Sequence, residues 1–69
     1  MKAGDVVMFN NQNSIYAKWF YGKIGVVKSI RENAKGEEYC GINWLIPVLY
    51  HGNHSSSSSF PSSDFMGVE

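Results

Sequence analysis

The chain has 69 residues, 43% of them apolar and 14% aromatic, which suits one small folded domain and excludes a disordered segment. Its formal charge is zero, which weighs against a protein that works chiefly by gripping phosphates. A single cysteine, Cys40, excludes an intrachain disulfide framework and points to a reducing, cytoplasmic setting.

The start, "MKAGDVVMF", lacks the apolar core of a secretory signal. No run approaches the ~20 apolar residues of a membrane span, so no membrane partner is expected. "WLIPVLY" is the longest apolar run, and Pro47 interrupts it. Charge is unevenly placed. Lys18, Lys23, Lys28, Arg31 and Lys35 stand against Glu32 alone. From Gly36 onward only Glu37, Glu38, Asp64 and Glu69 are charged.

In chain order, "KAGDVVMF" predicts a Gly4-Asp5 turn and a short strand over Val6 to Phe9. "NNQNS" is a polar loop. "IYAKWFYGK" fits either a helical turn or an extended loop, and the loop is preferred because Gly22 and Gly25 then punctuate it. "GKIGVVKSI" carries the strongest strand signal. Ile24, Val26 and Ile30 share one parity and Val27 the other, so a bulge near Gly25 is expected to reconcile them. "RENAKGEE" is a hairpin loop, and "YCGINWL" a strand whose core face is Cys40, Ile42 and Trp44. Beyond Pro47, "VLYHG" is expected as a short edge strand. Residues 51–59 follow as a serine-rich connecting loop. "FPSSDFMGVE" closes the chain with Phe60 as an anchor, one helical turn and a last strand held by Phe65 and Val68.

Many short strands, frequent turns and no long amphipathic helix predict an all-β domain, and a small barrel is the economical way to remove its exposed edges. The order of "KAGDVVMF", "GKIGVV", a strand ending in "INW" and "FPSSDFMGV" resembles a small SH3-like barrel of the KOW type, across nearly the whole chain. The resemblance implies five strands, with a short helical turn before the last. It also implies a binding module without catalysis: KOW-type members commonly contact RNA or transcription and ribosomal machinery, and other SH3-like barrels bind peptides. In its size and its "NW…P…F..SDF" pattern the chain also resembles small stand-alone accessory proteins of tailed bacteriophages, which implies host or phage machinery as the partner.

The residues offer little for catalysis. His51 and His54 have a spacing that holds two metal ligands, with Cys40 and Asp64 as further donors, but no zinc signature accompanies them. A serine nucleophile lacks its G-x-S-x-G elbow, and "GKIG" is too short to cradle phosphates. No enzyme activity, metal or cofactor is expected.

The expected binding surface is the aromatic loop with the bases around it: Tyr16, Lys18, Trp19, Phe20, Tyr21, Lys23, Lys28 and Arg31. Trp and Tyr are frequent anchors of protein interfaces, and the leading expectation is a protein partner met mainly through Trp19. The alternative is RNA or single-stranded nucleic acid, with bases stacked on the aromatics and phosphates on the lysines. A second alternative is a self-assembling protein, in which an exposed aromatic patch joins copies into a small homo-oligomer.

Overall fold

A computed structural model describes residues 1–68. It contains five strands: β1 (Val6–Phe9), β2 (Ile24–Glu32), β3 (Glu38–Tyr50), β4 (Asn53–Pro61) and β5 (Phe65–Gly67). They form one antiparallel sheet in the order β4-β3-β2-β1-β5. A 3₁₀ turn, Ser62–Asp64, joins β4 to β5. The chain is therefore all-β with the strand order and closing turn of an SH3-like barrel. Its hydrogen-bonded ladder stays open between β4 and β5, which are the two edges. The last residue of the expected closing strand, Glu69, lies outside the described residues.

The core is aromatic. Phe9 is fully buried and sits 5.1 Å from Phe60 and 5.4 Å from Phe65 between ring centroids, both edge-on. Phe20 completes the group, 5.0 Å from Phe60 and stacked at 5.4 Å on Trp44. Val7, Val27, Cys40, Ile42 and Val48 fill the space beside them. Edge-to-face packing suits the ring quadrupoles and adds to the area buried, which a chain this short needs. The expected core face of β3, Cys40, Ile42 and Trp44, points inward while Asn43 is exposed.

Four expectations are corrected. First, "IYAKWFYGK" is not an extended loop. Ala17–Phe20 forms one helical turn, α1. Ser14 starts it, its Oγ accepting from Tyr16 N at 3.1 Å and its carbonyl from Ala17 N at 3.1 Å. The i, i+3, i+4 spacing of Tyr16, Trp19 and Phe20 then places them along one side of the turn.

Second, the bulge in β2 falls at Lys28, between Val27 and Ser29, and not at Gly25. Val27 pairs with Ile42 and Ile30 with Cys40, so the extra residue brings both onto the core face. Gly25 serves a different need. A Cβ there would overlap the Ile42 methyl and come within 2.8 Å of the Asn43 carbonyl.

Third, Pro47 does not end a strand. β3 is continuous through it, and four residues of β3 stand against Ser56 alone between the pairs Asn43↔Ser57 and Val48↔Ser55. Pro47 occupies this interruption, where no ladder hydrogen bond is asked of it.

Fourth, residues 51–59 are not a connecting loop. His51 and Gly52, with φ of 49° and 78°, make a two-residue turn closed by the pair Tyr50↔Asn53. The serines then run as β4, paired with β3 from Asn53 to Pro61.

Candidate functional site

A cleft of about 590 Å³ lies beside the edge strand β4. Tyr16, Tyr39, Tyr50, Phe60 and Pro61 form its apolar walls. Ser55, Ser58 and Ser59 bring hydroxyls to it from β4, and Asp64 lines it from the 3₁₀ turn. The sequence explains why the space is open. Ser55 faces Val48 and Ser58 faces Ile42 across the β3–β4 ladder, so positions at the edge of the core carry short side chains. Two serines cannot fill the room that aliphatic residues would take.

The walls are held in place. Ser58 Oγ accepts a hydrogen bond from Trp44 Nε1 at 3.0 Å, which satisfies the indole in the core. Tyr16 packs edge-on to Phe60 at 5.5 Å and lies 6.1 Å from Tyr50. Asp64 is buried, and its Oδ1 accepts from Asn11 Nδ2 at 2.8 Å while its carbonyl accepts from Asn10 N at 2.8 Å. These bonds tie the start of the β1–β2 loop to the 3₁₀ turn and fix the loop that carries Tyr16.

The eight residues expected to bind a partner do not share one surface. Tyr16 is exposed and lines the cleft. Phe20 is 2% exposed, and this corrects its place in the binding set: it is a core residue whose edge only reaches the cleft. Trp19 is half-buried rather than the free anchor expected. It packs edge-on to Tyr50 at 4.9 Å and lies 4.9 Å from His51, with Lys18 Nζ 4.3 Å from its ring. Its role is to brace α1 against the β3–β4 hairpin. Tyr21 is 44% exposed, and its hydroxyl accepts from Gln12 Nε2 at 2.9 Å. Lys23 borders a shallow apolar groove with Ile24, Leu45 and Ile46. Lys28 and Arg31 line a separate groove with Tyr39.

The residues missed by sequence reasoning are Tyr39, Tyr50 and the serines. Tyr50 carried a signal, because it shares parity with buried Val48 two positions before it. The serines carried none.

The remaining candidates for chemistry are placed apart. Among the described residues no three of His, Cys, Asp and Glu converge on a point that would hold a metal ion. His51 packs edge-on to Tyr50 and tilted against Trp19 at the hairpin turn. Cys40 is buried and donates weakly to the Phe60 carbonyl at 3.6 Å. Burial is the main cause that pushes its thiol pKa up, away from the thiolate a nucleophile needs. Among the described residues no helix is long and apolar enough to cross a membrane.

No family model matches this chain, and no curated protein or solved structure matches it.

Proposed function

We propose that this is a non-catalytic binding module that takes an extended segment of a protein partner into the cleft beside β4. The carrying observation is the pairing of two features: an aromatic concavity of about 590 Å³ and, along its rim, a strand edge with no neighbour in the sheet. An added strand would satisfy the free main-chain groups of β4, and every second side chain of that strand would drop toward Tyr16, Tyr50 and Phe60. Tyrosines suit this role because they give large contact area at little cost in side-chain entropy.

A display library of random peptides tests the reading directly. Peptides with alternating apolar residues are expected to be enriched. Tyr50→Ala, checked for folding by circular dichroism, should weaken them about tenfold or more, as expected for an interface anchor. Leu49→Ala, exposed and outside the cleft, should not. Failure to enrich any peptide, or equal binding by both variants, overturns it.

The setting proposed with this function is the cytoplasm, with the chain acting as a phage accessory factor on host or phage machinery. That part rests on the sequence resemblance alone. The nucleic-acid alternative asked for bases and aromatics interleaved on one surface. It loses ground because Trp19 is spent on the hairpin, away from the groove of Lys28 and Arg31. Self-assembly keeps one specific support: Leu45 and Ile46 are 62% and 79% exposed side by side. A mass that rises with concentration in light scattering, and returns to monomer with Ile46→Lys, is the outcome that reading requires.

A further inference from the structure

A second concavity lies on the outer face of the sheet, a groove of about 320 Å³ spanning β2, β3 and β4. Its construction differs from that of the cleft. Three features of the sequence build it.

The first is the bulge at Lys28. Ser29 pairs with Gly41 and Arg31 with Tyr39, so Ser29 and Arg31 both face outward, and the bulged Lys28 joins them at the same groove. Regular alternation would have sent Ser29 inward. The second is Gly41. A Cβ at this position would come 2.8 Å from Ser29 Oγ and 3.1 Å from Lys28 Cε. The missing side chain is therefore what lets the stem of Lys28 lie across β3. The third is the serine strand. Gly41 pairs with Ser59 and Asn43 with Ser57, which puts two hydroxyls on the far wall.

The resulting lining has one character. Among the described residues the groove is lined by two bases, Lys28 and Arg31, by the hydroxyl-bearing residues Ser29, Tyr39, Ser57, Ser58 and Ser59, and by no acidic residue. Glu32 and Glu38 pair with each other one step along the ladder and do not line the groove. A neutral ligand would leave both cations without a counter-charge. An oxyanion meets the guanidinium fork with two parallel hydrogen bonds and the ammonium as a point charge, and the hydroxyls donate to its remaining oxygens.

We propose that this groove is a binding site for a phosphate-class oxyanion. It borders the peptide cleft, sharing Tyr39, Ser58 and Ser59 with it, whereas Lys28, Ser29 and Arg31 belong to the groove and Tyr16, Tyr50 and Phe60 to the cleft. The oxyanion has two sources of the same chemistry, a free phosphate ester or a phosphate within a nucleic-acid strand.

The test is an amide-resolved NMR titration of the full chain with inorganic phosphate, with adenosine monophosphate and with a short oligothymidylate, each against sodium chloride at matched ionic strength. Saturable shifts are expected at Ser29, Arg31, Gly41 and Ser59. Lys28→Met and Arg31→Gln, both at exposed positions, should each weaken binding about tenfold, the loss expected for one charge-assisted hydrogen bond. Tyr50→Ala should leave it unchanged. Tighter binding of the oligonucleotide at the same amides makes the natural source a strand, and equal or tighter binding of the monophosphate makes it a free ester. The proposal is overturned if none of the three saturates, if chloride produces the same shifts, or if the two variants bind as the parent does.

Discussion

Single side chains set the limits of this small core. Cys40 is the clearest case, because it is fully buried in the core cluster with Ile42 and Phe60. A free thiol titrates at about 8.5 when the chain is unfolded. Burial raises that value in the folded state; the Ser62 hydroxyl works against it, and Glu38 and Asp64 add to it, with the net direction upward. The unfolded chain therefore releases its proton first as pH rises, and stability that is complete below about pH 8.5 declines above it. Urea midpoints measured from pH 7 to pH 10 should fall, and the fall should be smaller in Cys40→Ala, which shares every other titrating group. In the folded protein at pH 8 a thiol-reactive dye should label Cys40 only as fast as the chain opens. Rapid labelling, or parallel pH profiles for the two proteins, would show that the thiol is not held in the core. This residue was legible from its parity in "YCGINWL". Lys28 was not, because a bulge is a property of the pairing between two strands and leaves no mark on either alone.

Elements show why half of the hairpin was hidden. β3 announced itself through Cys40, Ile42 and Trp44, whereas β4 is a strand without a strand's residues. Serine has little preference for extended backbone and shows no apolar alternation. What makes β4 extended is the ladder to β3, the turn at His51-Gly52 and the landing of Phe60 in the core. The same argument gives a prediction opposite to the one a flexible loop would make. All five serines are identical, so deleting one yields the same protein whichever is removed. The turn and Phe60 then fall out of phase by one residue. Either Phe60 leaves the core or His54 moves into the inward position of Ser55. The deletion should cost about 2 kcal/mol or more, comparable to losing a large part of a buried aromatic. Deleting two serines restores parity and should cost less, despite removing more chain. Thermal melts of the two deletions decide it, and a single deletion milder than the double would mean that β4 is not held in register.

At the scale of the whole molecule, the order of elements was readable and the shape was not. "GDVV", "GKIGVV", "INW" and "FPSSDF" stand in the order that the sheet uses, because each is a local pattern of β-branched or aromatic residues bounded by turns. The open seam between β4 and β5 depends on how large the facing side chains are after the sheet curls. That seam makes the last segment carry an unusual share of the fold. Among the described residues β5 pairs only with β1, and Phe65 meets Phe9, Trp44 and Phe60 across the core. Phe60 meets Phe9, Phe20 and Tyr16. Removing either ring costs about 3–5 kcal/mol. A domain of this size has only about 5–15 kcal/mol in total, and small ones sit at the low end. Removing residues 60–69 takes both rings, the 3₁₀ turn with its Asp64 anchor to the β1–β2 loop, and all of β5. The truncated chain should therefore be unfolded at 25 °C, with collapsed amide dispersion in its NMR spectrum and no cooperative melt. Phe65→Leu in the full chain is the milder companion, and should lower the melting temperature while keeping a cooperative transition. If the truncated chain still melts cooperatively, the core does not depend on closing β5 over β1, and the arrangement of the five strands described above is wrong.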